Sequence, residues 1–355
     1  MRDVRMPREH TMLTVAFASM LVVGAATAPA SIVPAARVLS QPEEAQPTDV
    51  EPEMVVLEPR LKKGQRAVYS VTRSDVKSKA TRAPKPVKGR ESRAEIVVIE
   101  TEPNYVLSYS VDLPLLDEIE LPKDADAAAT TQKLLEEVRK MPPVEVEFTH
   151  EGELVGMRNW DAVRGPALKA SQAVLEVMKK SMPEEQFEFV ARWVENSYAA
   201  DGMGQQMLIG DAWTCFMGYG YAVPVQGQRE EEIEFDNPLG GDPLPGTMTL
   251  RVRPKGAEKD VTTVEYKSRV DPAAAGKAMK ESMERLTGRD PDGQELILDM
   301  EESATYVYDG STGWLRRTEW ERRVISGPSK RVQKRTYVLV QGPDLPEQAP
   351  DVDKK

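Results

Sequence analysis

The chain contains few of the side chains that most often carry out chemistry: it has one cysteine, Cys215, and two histidines, His10 and His150. A single cysteine cannot form an internal disulfide, so the folded state must be held together by its core. Zinc sites usually draw on several histidine or cysteine ligands. The sequence therefore predicts a protein without a metal ion or other cofactor.

Long apolar runs are scarce outside the start of the chain. Three arginines within the first eight residues precede an apolar stretch from residue 11 to 28, and Ala28-Pro29-Ala30 forms a small-x-small cleavage site. This order is typical of a secretory signal peptide over residues 1–30. A run of about 18 residues is short for a membrane-spanning helix, so a cleaved signal is favoured. A membrane anchor that is retained is the alternative. The chain is expected to be exported, either periplasmic or secreted, with no integral membrane span after cleavage.

Positive charge is in the minority, with 47 Lys and Arg against 58 Asp and Glu, a net charge of −11. Cleavage after residue 30 removes three basic and two acidic residues and leaves 44 basic against 56 acidic, a net charge of −12. An acidic surface repels nucleic acid and anionic lipid surfaces. Neither is therefore expected as the main partner.

Composition divides the rest of the chain. Residues 31–53, rich in Pro and Glu, predict a disordered tether, and residues 342–355 predict a disordered tail, because such segments bury too little apolar surface to offset their ordering entropy. A single folded domain is expected over residues 54–341. Two β-rich halves around the helices, residues 54–160 and 205–341, are the alternative division.

Alternation of apolar and polar residues at period two predicts strands in both halves. The predicted strands cover residues 66–76, 93–100, 105–112, 144–148, 154–157, 233–235, 247–252 and 264–270, followed by a hairpin of 314–325 with 331–340. Short turns between neighbouring strands imply antiparallel pairing. The basic stretch from Lys77 to Gly89, with Pro84 and Pro86, is expected to be an exposed loop.

Apolar residues at helical spacing predict helices around residues 134–141 and a central helical pair over about 161–199. Ser181 and Glu184 match a capping box at the start of the second helix of this pair. Another helix is expected from Asp271-Pro272 to Gly288. The predicted fold is α+β: a curved antiparallel sheet with packed helices.

Several short motifs have catalytic associations, and each has a simpler structural explanation. Ser74 and Lys77 fit a Ser-x-x-Lys pattern, but they lie in a predicted strand. The polar turn over residues 290–293 has the wrong spacing for a calcium loop. His150 ends a strand and is expected to be solvated. Acidic pairs such as Glu231 and Glu232 suit glycoside hydrolysis in principle, yet the many acidic residues leave no basis for choosing one pair.

Two larger features are candidates for lining a binding site. The Gly/Pro-rich segment over residues 237–246 lacks the lysine of a phosphate-binding loop, which favours a connection between strands over the rim of a cleft. Aromatic residues follow Gly210-Asp211-Ala212-Trp213, namely Phe216, Tyr219 and Tyr221. They are interpreted as core, with a pocket for an apolar ligand as the alternative. The sequence thus assigns no catalytic or metal-binding residue and leaves the ligand-binding residues unknown.

Four short motifs stand in a familiar order: residues 61–65 (LKKGQ), Gly152 before Trp160-Asp161-Ala162-Val163-Arg164, residues 210–213 (GDAW) and residues 309–315 (DGSTGWL). This order resembles uncharacterised exported bacterial β-rich proteins of unknown function, over residues 55–340. The resemblance implies no active site. The predicted architecture is also similar to periplasmic lipoprotein carriers, which shelter acyl chains, and at the level of fold this implies an apolar cavity.

The leading hypothesis is an exported, non-enzymatic envelope protein that binds a small molecule or another envelope protein, with an apolar ligand as its sharper form. A hydrolase using carboxylates is the first alternative, and it requires two acidic residues facing each other in a cleft. A structural or assembly protein is the second, and it requires a large exposed apolar patch.

Export gives a prediction that needs no knowledge of the ligand. Protein recovered from the cell envelope or medium of a bacterial host is expected to begin at Ser31, because peptidases cut after small residues. Intact-mass measurement and N-terminal sequencing check this. Full-length protein found only in the cytosol would contradict it.

Overall fold

A computed structural model describes residues 53–79, 81, 89–112, 125–179, 184–199, 204–235, 243–253, 260–287, 298–326 and 329–342. The predicted signal peptide, nearly all of the tether and tail, and most of the loop after Lys77 lie outside these ranges. So do residues 181–183 of the predicted capping box, Gly288 and the turn at 290–293. Within the described ranges, no helix combines the length and apolarity needed to cross a membrane.

The described elements comprise thirteen strands and five helices. The strands are β1 (Met54–Val56), β2 (Arg66–Lys79), β3 (Arg90–Glu100), β4 (Tyr105–Asp112), β5 (Val144–Phe148), β6 (Leu154–Met157), β7 (Ala222–Pro224), β8 (Arg229–Phe235), β9 (Leu244–Val252), β10 (Val261–Val270), β11 (Leu298–Asp309), β12 (Leu315–Ser326) and β13 (Ser329–Gln341). The helices are α1 (Ala125–Arg139), α2 (Trp160–Lys179), α3 (Glu184–Ser197), α4 (Gly204–Trp213) and α5 (Pro272–Thr287).

Eleven of these strands form one antiparallel sheet in the order β6-β5-β4-β3-β2-β13-β12-β11-β10-β9-β8. The chain runs outward from β2 to the β6 edge, and later returns from the β8 edge to the centre at β13. The long pairing of β2 with β13 therefore joins two meanders at the middle of the sheet. β1 and β7 form a separate two-stranded sheet. The α+β prediction is confirmed at this level.

The two faces of the large sheet differ in polarity. One face carries fully buried aromatic residues such as Tyr69, Tyr337, Tyr306 and Trp320; we call it the inner face. Successive side chains of a strand point to opposite faces, so the intervening residues, such as Lys334 and Thr336, form an outer face that is largely polar. Antiparallel sheets commonly bury one face and hydrate the other in this way.

Most predicted elements are confirmed. All eight single strands, the final hairpin and the central helical pair are present, and β4, β5 and β6 have the predicted ends. β2 continues to Lys79, so the predicted loop does not begin at Lys77. The Asp271 cap is present too, since its Oδ1 accepts hydrogen bonds from the backbone N–H groups of Ala273 at 2.8 Å and Ala274 at 3.1 Å. The first helix ends at Arg139 rather than Met141, because Pro142 and Pro143 follow and disfavour helix at the preceding residue.

Two central elements escape the sequence prediction. β11 alternates regularly, with Ala304, Tyr306 and Tyr308 buried, but the buried position of Glu302 hides the pattern. α4 lacks an amphipathic stripe, since Asp211 is buried together with Leu208, Ile209, Ala212 and Trp213. A buried helix without a polar face gives no helical periodicity.

The middle of the inner face is covered by a stretch that we call the core segment, residues 204–220, consisting of α4 and the turns after it. Residues 208–219 are all buried. Phe216 stacks on Phe148 with ring centroids 5.3 Å apart, and Tyr219 lies 5.3 Å from Tyr308. The backbone N–H of Gly218 donates to the Tyr308 hydroxyl at 3.2 Å. Trp213, Phe216 and Tyr219 are therefore core, as the sequence interpretation favours, whereas Tyr221 is half-buried at its edge.

Gly152 allows the β5–β6 turn to approach the core segment. Its φ is +84°, and a Cβ atom there would lie 2.6 Å from the carbonyl carbon of Tyr219. Gly64 is a matched control, since its φ is +85° but nothing lies within 4 Å of its Cβ position.

We expect Gly64→Ala to cost about 1–2 kcal/mol of unfolding free energy, the ordinary penalty for a left-handed residue. Gly152→Ala should cost roughly 1–3 kcal/mol more, because overpacking adds to that penalty. Urea denaturation measures both variants. Equal destabilisation would contradict the close contact with Tyr219.

Candidate functional site

The register of the central strands gathers basic side chains on the inner face near the ends of the β2–β3 and β12–β13 hairpins. Arg73, Lys77 and Lys79 alternate along β2, and Arg331 and Arg335 along β13. Arg90 begins β3 and Arg322 lies in β12. We call these seven residues the cationic cluster: Arg73, Lys77, Lys79, Arg90, Arg322, Arg331 and Arg335.

Three arginines form a row across adjacent strands. Arg90 lies directly opposite Arg73, and Arg73 lies directly opposite Arg335. Closer to the hairpin ends, Lys77 and Arg331 also face each other. Like charges directly opposite on neighbouring strands destabilise a sheet, so this arrangement requires compensation.

Asp211 of α4 supplies compensation beneath the row. Its carboxylate lies 2.8 Å from a guanidinium nitrogen of Arg73 and 2.6 Å from one of Arg335. The side chains of Asp211 and Arg335 are each only 3% exposed. Arg73 also donates a hydrogen bond to Ser92 Oγ at 2.8 Å, and the Arg335 guanidinium lies 4.8 Å from the ring centroid of Trp320. The core segment is thus tied to β2 and β13 by a buried ionic triad.

Two further ion pairs lie on the same face. Arg331 binds Asp75 through its Nε, at 2.9 and 3.0 Å from the two carboxylate oxygens, and through a second nitrogen. Arg322 lies 3.2 Å from Glu302, which is fully buried in β11. The cluster therefore faces three carboxylates, those of Asp75, Asp211 and Glu302.

The pKa directions reflect the crowding of charge. Burial opposes the charge of Arg73, but the Asp211 carboxylate outweighs it and raises the pKa of the Arg73 guanidinium. Burial lowers the pKa of Arg322, and repulsion from Arg335 and Arg331 lowers it further against the attraction of Glu302. Burial is thus the chief cause of the lowered pKa of Arg322, and the neighbouring arginines add to it.

The exposed members of the cluster lie nearest the hairpin ends. Lys77, Lys79 and Arg90 are all exposed. Among the residues that the structure describes, none of the three forms an ion pair. Within the cluster, seven cationic side chains thus meet three carboxylates, in a chain whose net charge is −11.

Other residues singled out from the sequence do not meet at a site. Ser74 and Lys77 project from opposite faces of β2, since three positions along a strand reverse the side-chain direction. His150 is exposed, its ring is tilted against that of Tyr105 with centroids 4.6 Å apart, and its Nε2 lies 3.9 Å from a carboxylate oxygen of Glu102. Cys215 is fully buried and its pKa is raised, chiefly by burial.

The acidic candidates are equally dispersed. Glu231 and Glu232 alternate on edge strand β8, so they point to opposite faces, and Glu231 pairs with Arg229. Within the described ranges, no three His, Cys, Asp or Glu side chains are grouped to hold a metal ion. The Gly/Pro-rich segment over residues 237–246 is described only in part. Residues 237–242 lie outside those ranges, while Leu244, Pro245 and Gly246 belong to β9.

Comparison with models of known protein families gives no match for this chain, and comparison with curated proteins gives none either. The roles of the cluster residues therefore rest on their own geometry and charge.

The triad is expected to stabilise the fold strongly once formed. Asp211→Asn leaves Arg73 and Arg335 facing each other without a carboxylate, and breaking a buried ion pair costs about 3–5 kcal/mol. Glu319→Gln, which removes the exposed partner of Arg317 on the outer face, is the control and should cost less than about 0.5 kcal/mol. Chemical denaturation of both variants measures the difference, and similar losses would contradict the triad.

Proposed function

We propose that this chain is an exported, non-enzymatic binding protein that recognises an anionic ligand through the cationic cluster. The observation that carries the proposal is the excess of cationic side chains on one face of an acidic chain. Guanidinium groups bind carboxylate and phosphate through charge-assisted, often bidentate hydrogen bonds. Four of the seven cluster residues, Arg73, Arg322, Arg331 and Arg335, are already held in ion pairs that fix their positions.

The cost of the arrangement supports a functional role. Arg90, Arg73 and Arg335 stand opposite one another in register, and Lys77 stands opposite Arg331. Stability alone favours opposite or neutral pairs at such positions. Residues that break a local rule at a cost are expected at functional sites, and a bound anion would relieve the repulsion between these opposed cations.

The packed interior counts against a carrier for an apolar ligand. Residues 208–219 fill the space beneath the middle of the sheet, where an acyl chain would have to lie. The fully buried carboxylates of Asp211 and Glu302 each face arginine, which gives no support to a hydrolase built on an opposed acidic pair. Exposed large apolar side chains in the described part are spread over β1, β6 and β13, namely Met54, Val56, Val155 and Val338, which does not favour assembly through one apolar patch.

Inorganic phosphate is a suitable probe for the proposed site. Titration calorimetry at low ionic strength is expected to show binding that weakens as salt is added, because salt screens partly exposed charges. Arg331→Gln should weaken binding about tenfold or more, since a hydrogen bond to a charged group contributes about 1.5–3 kcal/mol. The change also leaves the Asp75 carboxylate without its partner Arg331, so that this carboxylate repels the anion.

Arg317→Gln is the matched control for this titration, because Arg317 is an exposed, ion-paired arginine of the outer face. It should bind phosphate like the unmodified protein. Absence of binding by the unmodified protein, or equal losses in the two variants, would refute the proposal.

A further inference from the structure

We infer that the ligand of the cationic cluster is a linear polyanion, a polymer that carries a phosphate or carboxylate group on each repeating unit. This inference rests on the proposed anion-binding function and narrows it to one class of ligand. It follows from the length, the spacing and the exposure of the cluster along β2 and its two neighbours.

The exposed part of the cluster is too long for a single small anion. Arg90 lies opposite Arg73, and Arg73 and Lys79 lie six residues apart on β2, so the exposed Arg90 and Lys79 are about 20 Å apart along the strand direction. Arg331 flanks this line on β13. A single phosphate contacts only one part of such a track, whereas an extended chain can contact its exposed residues at both ends.

The cations nearest the hairpin ends are closely spaced. Lys77 and Lys79 point the same way and are separated by about 7 Å along the strand. Lys77 and Arg331 are Cα partners on neighbouring antiparallel strands, with Cα atoms about 4.5–5.5 Å apart. Polymers charged at every phosphate or sugar unit present anionic groups repeatedly along their length, so several of these cations can be engaged at once.

The exposed end of the track is available for a ligand. Lys77, Lys79 and Arg90 are exposed and, among the described residues, have no ion-pair partners. Asp75, two residues before Lys77, is held in place by Arg331. Glu91 follows Arg90 directly but points to the opposite face of β3. When one unit of a polymer is bound, the next unit binds a neighbouring cation of the same protein in an intramolecular step. Several such contacts therefore raise the affinity for the polymer.

An anionic lipid surface is the competing partner, and the structure favours it less. Stable attachment to a membrane surface usually combines basic residues with an apolar or lipid anchor. The exposed large apolar residues of the described part lie on β1, at the β6 edge and on the outer face of β13, away from the cluster. A broad surface also meets the acidic remainder of the chain, whereas one polymer strand interacts mainly within a Debye length of about 8 Å.

The experiment compares polymers with their own monomeric units. Linear polyphosphate and polygalacturonate are titrated against the full chain in parallel with inorganic phosphate and galacturonate. At equal concentration of charged groups, at least one polymer should bind tenfold or more tightly than its unit. Its affinity should fall linearly on a log–log plot against salt concentration, as expected for counterion release.

The triple variant Lys77→Gln, Lys79→Gln, Arg90→Gln should lose at least tenfold in polymer affinity. These residues are exposed, so folding should be preserved, and circular dichroism checks it. The triple variant Lys267→Gln, Arg317→Gln, Lys334→Gln removes three exposed cations from the outer face and should bind the polymer as the unmodified protein does.

The outcomes separate this inference from the function on which it rests. Binding of inorganic phosphate with no gain for either polymer overturns the inference and leaves anion recognition standing. Binding of neither monomer nor polymer overturns both. Tighter binding to phosphatidylglycerol-containing vesicles than to either polymer, or equal losses in the two triple variants, also overturns the inference.

Discussion

The buried triad of Arg73, Asp211 and Arg335 is the interaction on which the rest of the structure depends. It places a carboxylate of the core segment under the junction of β2 and β13, where the two meanders of the sheet meet. Burying charge is costly unless it is paired and hydrogen-bonded. The triad therefore couples three features: the position of the core segment, the pairing of the central strands and the tolerance of opposed arginines.

From this junction the inner face changes character along the strands. Toward one end, Tyr69, Tyr306 and Tyr337 pack with the aromatic residues of the core segment. Toward the hairpin ends, Arg331 and Lys77 replace them, and the surface becomes exposed and positively charged. Successive inner-face positions of the same strands thus form first a packed core and then a charged surface. The packed core can therefore act as a rigid framework that positions the proposed anion site.

The sequence predicts the parts of this fold that depend on local patterns. The regular strands, the Asp271 cap and the final hairpin follow from alternation and turn residues. β11 and α4 cannot be predicted in this way, because Glu302 and Asp211 are buried, whereas a local sequence pattern predicts that charged residues are exposed to solvent. The cationic cluster cannot be predicted from the sequence for another reason. Arg90, Arg322 and Arg335 come together only through strand register, and the negative net charge of the chain gives no sign of a local excess of positive charge.

The most direct test of the account is whether an anion binds the inner face. Arginine side-chain Nε–Hε resonances, followed by nuclear magnetic resonance while inorganic phosphate is added, report on each guanidinium separately. If the anion binds the inner face, Arg90 and Arg331 shift with a common, saturable dependence while Arg317 on the outer face does not. Equal, unsaturated shifts on both faces, or shifts confined to the outer face, would contradict it.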